Sequence, residues 1–184
     1  MSFAFGHLVG GWVFGRFLEW STKRSFSHTE WAILLFGSLL PDADLVVGWL
    51  FHSNLHRQFT HSLLFLAFCF VAVIAFGNLM ALFSKQFFTM KTLIGAGLAL
   101  SAGVFTHLVL DMAFGAPGLP LFWPSQVGVW FFGMKPFSIG GLFAGSRETI
   151  LAQLKLSVFE MGLGTLWLAW LWKNGILSFS RKFK

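Results

Sequence analysis

At 184 residues the chain is long enough for about one ordinary domain. Its 56% hydrophobic and 11% charged residues, with a mean hydropathy of +0.73, exclude an ordinary soluble domain. The net charge of +6 would suit nucleic acid in a soluble protein, but here the basic residues gather beside apolar runs, as the positive-inside rule expects. Nucleic acid is therefore not expected as a partner, and membrane lipid is the expected environment. The lone Cys69 rules out a disulfide framework and a cysteine zinc motif.

In chain order, residues 3 to 20 read as a retained helix, since MSFAF lacks a basic n-region and no small-residue cleavage site follows. This helix carries His7 near its start and Arg16 towards its end. After the polar STKRSFSHT, Thr29 and Glu30 open a second helix, WAILLFGSLL, which Pro41 helps to end. It is shorter than the roughly 20 residues of a full crossing. LVVGWLFH is a short interfacial or re-entrant piece, tolerable at membrane depth only against protein or water.

The polar turn SNLHRQFTHS leads into a spanning helix from Ser62 to Ser84, with Thr60 as its expected N-cap and His61 in its first turn. Thr92 to Phe114 makes the next span. Residues 115–145, rich in Gly, Pro, Phe and Trp, read as an interfacial loop that folds over the site. A last span covers about 150–172 before the basic tail. The expected fold is all-α: one multi-pass membrane-embedded domain over 1–184, with about four spanning helices plus short or re-entrant ones.

Residues 41 to 62, PDADLVVGWLFHSNLHRQFTHS, put two of the three aspartates and three of the six histidines into this apolar chain. Charges there are costly unless paired, coordinated or wetted. The third aspartate, Asp111, follows His107 by four, so both lie on one helix face and can reach one metal ion. His and Asp together suit zinc and similar divalent ions.

With Lys23, Arg24, Lys85, Lys91, Lys173, Arg181, Lys182 and Lys184 on the cytoplasmic side, His7, Asp42, Asp44, His56, His61, His107 and Asp111 all fall towards the opposite face. That convergence was not required by the charge rule. It is consistent with a site near the outer half of an inner (plasma) membrane.

Each residue also has a bland reading. His28 suits a solvated loop and His52 an interface. His7 alone would be a packing residue, His107 with Asp111 a buried hydrogen-bonded pair, Asp42 a cap, and Arg57 a partner of lipid phosphate. In the functional reading, imidazoles and an aspartate hold the metal, Asp42 or Asp44 takes a proton as water attacks, and Arg57 presents a donor fork to a phosphate. That set implies hydrolysis. His56 and His61 are five apart, so either a helix starts between them or only one is a ligand. Ser62 has no nucleophile elbow around it.

The early His7, the Leu40 to Asp44 segment, the His56 to Ser62 segment and His107-x-x-x-Asp111, covering two-thirds of the chain, resemble the YdjM-like family of predicted membrane-bound, metal-dependent hydrolases. That family is in turn distantly similar to the helical zinc-dependent phospholipase C and P1-type nuclease group. The resemblance implies that Asp42 is the general base, that His56, His107 and Asp111 hold one metal, and that His7 joins a second.

The chain departs from that group in having no His after His107; its only acids after Asp111 are Glu148 and Glu160. One or two ions, zinc or else manganese, are therefore expected in place of three, with His61 and Asp44 as substitute ligands. The expected substrate is a phosphoester of a lipid headgroup.

Two rivals stand beside the hydrolase. One is a transporter moving ions or protons through the same His/Asp cluster; the other is an assembly factor whose cluster is structural. No His-Glu-x-x-His occurs, which disfavours a metalloprotease.

Overall fold

The first helix ends where its polar residues begin, and the turn that follows is held by carboxylates rather than by apolar packing. In the computed structural model, which describes residues 4–52, 57–83, 88–114, 119–125, 127–129 and parts of 158–173, α1 covers Ala4–Thr22. Glu19 near its end accepts from the backbone N–H of Phe26 at 2.6 Å, from Arg16 at 2.8 Å and from the Trp31 indole at 3.3 Å. The next helix, α2 (His28–Gly37), starts on a capping box. Ser27 accepts from the Glu30 N–H, and Glu30 reaches back to the Ser27 N–H at 2.9 Å. The expected start at Thr29 is thus displaced to Ser27, whose hydroxyl has the free N–H three residues on within reach.

α2 stops at Gly37. Pro41, which cannot donate, sits in a 3-10 turn over Leu40–Asp42. The chain then resumes as α3 (Ala43–Leu50), bent by 46° from α2. A second 3-10 turn, Phe59–His61, precedes α4 (Leu63–Phe83). Ser62, and not Thr60, accepts the Phe65 N–H at 3.2 Å, so Ser62 caps this helix. α5 runs from Met90 to Phe114.

α4 and α5 are antiparallel. Gly77 meets Leu93, Gly97 meets Phe70, and the Ser101 hydroxyl donates to the Leu66 carbonyl at 3.3 Å. α1 is antiparallel to α5 as well, with Gly10 on Leu110 and Phe14 on Phe105. Of the 18-residue apolar window of α5, 56% is buried, against 17% of that of α4, so α5 is the central helix of this unit. Phe65, Cys69, Leu100, Val104, Leu108 and Met112 form its core, together with Leu119.

The closest helix approach is α2 on α5. A Cβ on Gly103 would lie 2.1 Å from the Leu34 carbonyl oxygen and 2.7 Å from the Ser38 nitrogen, both backbone atoms. Only hydrogen side chains let the two backbones meet here.

The described helices Leu63–Phe83 and Met90–Ala113 are long and apolar enough to cross a membrane, and the bent pair His28–Gly37 with Leu40–Gly48 makes a third if it is one broken span. Of the expected loop at 115–145, the described part runs from 119 to 129. Leu119 and Val129 exchange backbone hydrogen bonds, and the Leu121 carbonyl receives the Leu63 N–H at 2.9 Å, which ties this segment to the start of α4.

By contact the chain divides at 138/139, and Gly162–Leu171 is an apolar helix, α6, of the second unit. The rest of the expected span at 150–172 lies outside the described residues.

Candidate metal centre

The antiparallel packing brings the start of α1, the end of α5 and the start of α4 to one end of the first unit, where the α2–α3 break also lies. His7 comes from α1, Asp42 from the first 3-10 turn, Asp44 from α3, Arg57 from the loop, His61 from the second 3-10 turn, and His107 and Asp111 from successive turns of α5. His7, His61, His107 and Asp111 are completely buried. The side chains of Asp42 and Arg57 keep 24% and 12% of their surface, and these form the open edge. His56 lies outside the described residues, while His28 and His52 are exposed.

His107 Nδ1 lies 2.8 Å from the Ser38 carbonyl oxygen, which can only accept, so Nδ1 carries the proton and Nε2 presents a lone pair. His61 is held the same way. The Thr60 hydroxyl donates to Asp44 Oδ2 at 2.5 Å, and its oxygen is then free to accept from His61 Nδ1 at 3.0 Å.

The two Nε2 atoms therefore face each other at 3.3 Å. Asp42 Oδ1 lies 3.4 Å from the first and 3.5 Å from the second. Asp111 Oδ2 stands 3.7 Å from His61 and 3.8 Å from His107. Donors held about 2.0–2.1 Å from a tetrahedral ion stand about 3.3–3.4 Å apart, so the His61, His107 and Asp42 set has the dimensions of a zinc site.

A second donor set, His7, His107 and Asp111, has His7 Nε2 3.5 Å from Asp111 Oδ1, with the His7 ring stacked on His107. Both sets share the one Nε2 of His107. His7 Nε2 also lies 3.9 Å from Asp42 Oδ2.

Electrostatics give the same picture. Asp42 Oδ1 and both oxygens of Asp111 are buried and accept no hydrogen bond among the described residues. Buried carboxylates in that condition cost several kcal/mol, roughly, unless a cation is supplied. Burial works against charge on His61, but the carboxylates of Asp42, then Asp44, outweigh it and push its pKa up to about 9. The centre thus calls for a positive charge between the two imidazoles, which a proton or a metal ion can provide.

Arg57 Nη2, itself a buried atom, lies 3.7 Å from Asp111 Oδ2. Its backbone is left-handed (φ 60°), and its N–H donates to Asp44 Oδ2 at 3.3 Å.

Of the candidates from the sequence that it describes, the structure brings His7, Asp42, Arg57, His61, His107 and Asp111 to one centre. It separates Asp44, however, which belongs to neither donor set and lies behind His61 on the Nδ1 side. Sequence reasoning missed Ser38 and Thr60. The contribution of Ser38 is a main-chain carbonyl, which no side-chain pattern announces; the adjacency of Thr60 to His61 was the one available signal. A family model described as YdjM inner membrane protein matches residues 1–180. No curated protein and no solved structure matches the chain.

Proposed function

The chain belongs to the YdjM inner membrane protein family, and on that premise we propose that it is a multi-pass, membrane-embedded, metal-dependent hydrolase acting on a phosphoester of a lipid or membrane-associated substrate. The observation that carries this reading is the pair of imidazole Nε2 atoms facing each other at 3.3 Å beside buried carboxylate oxygens that accept no hydrogen bond among the described residues. A positive charge between the two nitrogens satisfies that arrangement, and a divalent cation supplies it while also engaging the carboxylate oxygens.

His61 and His107, with either Asp42 or Asp111 as the carboxylate, would hold the ion, zinc being the best match to these donors and manganese the next. His7 with Asp111 Oδ1 offers a place for a second. When bound, the ion supplies Lewis acidity, which acidifies water and polarises a phosphoryl oxygen. Asp42, the carboxylate of this group most open to the outside, is placed to take a proton from attacking water and pass it out. Arg57, whose guanidinium lies 3.7 Å from Asp111 Oδ2, would supply the donor fork for an anionic phosphoryl group drawn over these donors.

The sequence reading adds about four spans and an inner-membrane site facing the non-cytoplasmic side, both of which suit a headgroup substrate. α3 supports a lipid-borne substrate, since Leu45, Val46, Val47, Leu50 and Phe51 are exposed immediately after Asp42.

The test is metal analysis of detergent-purified protein, wild type against His107→Ala and Asp111→Ala, followed by phosphoester turnover. Near-stoichiometric metal in the wild type that both variants lose is expected. An Asp42→Asn variant should retain metal and lose turnover. A wild type that stays metal-free after reconstitution with zinc and manganese would overturn the hydrolase reading and favour proton or ion movement through the same groups.

A further inference from the structure

We propose that Asp44, acting through Thr60, is a positioning residue that orients His61 for the metal and anchors the backbone of Arg57, and that it is not itself a ligand. This deepens the metal-centre reading and rests on it.

Three contacts converge on one carboxylate oxygen. Asp44 Oδ2 accepts the Thr60 hydroxyl at 2.5 Å and the Arg57 N–H at 3.3 Å, and it stands 3.4 Å from His61 Nδ1. All three groups lie on the side of His61 away from the nitrogen that faces His107. An oxygen so engaged is turned from the donor sets, and Asp44 at 5% exposure is enclosed there.

The chemistry of the relay fixes its direction. Carboxylate accepts only, so the single hydroxyl proton of Thr60 points at Asp44, and the Thr60 oxygen then receives His61 Nδ1–H. His61 is thereby locked with its lone pair on Nε2. On the other side of the centre the Ser38 carbonyl does the same for His107. Each imidazole of the pair thus has its outer nitrogen bound, the arrangement that orients metal-binding histidines and raises their basicity.

The Arg57 contact adds a second consequence. A non-glycine residue at φ 60° is uncommon, and the bond from its N–H to Asp44 helps to hold it there. One carboxylate therefore sets both a metal-binding imidazole and the guanidinium that would receive an anion.

The experiment measures zinc affinity by chelator competition, zinc content at saturation, and the visible absorption of the cobalt(II)-substituted protein, all on the full chain in detergent. Asp44→Ala is expected to weaken zinc about 10–100-fold, the usual cost of losing such an outer partner, while saturating content and the cobalt band positions stay those of the wild type. Asp44→Asn, which retains an acceptor for Thr60 and Arg57, should recover most of the affinity. Thr60→Val, nearly isosteric, should weaken zinc in the same direction and covers the case in which Asp44→Ala fails to fold.

Loss of saturating metal or a changed cobalt spectrum in Asp44→Asn would make Asp44 a ligand and overturn the proposal. Unchanged affinity in both Asp44→Ala and Thr60→Val would overturn it too, while leaving the metal centre standing. A wild type that takes up no metal would instead sink the metal-centre reading, and this proposal with it.

Discussion

Replacing Gly103 by alanine tests whether the α2–α5 contact sets the geometry of the centre. The new Cβ would sit 2.1 Å from the Leu34 carbonyl oxygen and 2.7 Å from the Ser38 nitrogen. Neither atom belongs to a flexible side chain, and van der Waals contact between carbon and oxygen needs more than about 3 Å, so the end of α2 must retreat by about 1 Å. Ser38 retreats with it, and its carbonyl bond to His107 Nδ1, now 2.8 Å, has only a few tenths of an ångström before it passes the useful range of about 3.2 Å.

Overpacking costs about 1–3 kcal/mol, and a buried imidazole N–H left without its acceptor adds about 1–3 kcal/mol. For a chain of this size, a sum of about 2–6 kcal/mol lowers the thermal midpoint by roughly 4–24 °C. Loss of the outer partner of His107 should also weaken zinc about 10–100-fold. The assay is thermal unfolding of the detergent-solubilised protein with and without zinc, alongside chelator competition. Gly162→Ala is the control, since a Cβ there meets nothing within 4 Å. A Gly103→Ala protein that matches Gly162→Ala in both measurements would refute the argument that backbone contact positions His107.

Four further outcomes follow from the same structure. Because His61 carries its proton up to about pH 9, a metal must displace it, so apparent zinc affinity should rise about tenfold per pH unit through neutrality and level off above that value. In the metal-free protein the same shift stabilises the fold fully below the unfolded pKa of 6.5, and that contribution fades as pH rises through about 9, which titration of unfolding midpoints would show. Arg57→Lys should keep metal content while raising KM for an anionic phosphoester about tenfold or more, because an ammonium cannot reproduce the two-pronged donor; unchanged KM would remove Arg57 from substrate binding. Ser27→Ala should lower stability by about 1 kcal/mol through loss of the α2 cap, and a metal affinity that moved with it would show that the cap and the centre are coupled.

Much of this protein is legible from residue type and spacing alone. An apolar chain with long continuous apolar runs is helical where it meets lipid, because a helix satisfies its backbone groups within each run, whereas a closed barrel would need short alternating strands. The four-residue spacing of His107 and Asp111 puts both on one face of α5, and positive-inside tracing brings the other candidates to the same end. Spacing left His56 and His61 ambiguous. A 3-10 turn now places His61 beside His107, and the capping of α4 by Ser62 frees Thr60 to turn towards Asp44.

Which side of an imidazole each carboxylate takes is a different kind of fact. Asp42 and Asp44 are two residues apart and chemically alike, yet the first faces the donor nitrogens and the second lies behind His61. The break after α2 and the start of α3 decide that, through the direction in which each Cα–Cβ bond points. The carbonyl of Ser38 is available to His107 only because α2 has ended there and because Gly37 and Gly103 let two backbones come together. Sequence by itself determined which chemical groups share one end of the first unit; tertiary packing decided the side of each imidazole they take, because that depends on bond directions and ångström-scale helix approach that composition and periodicity do not encode.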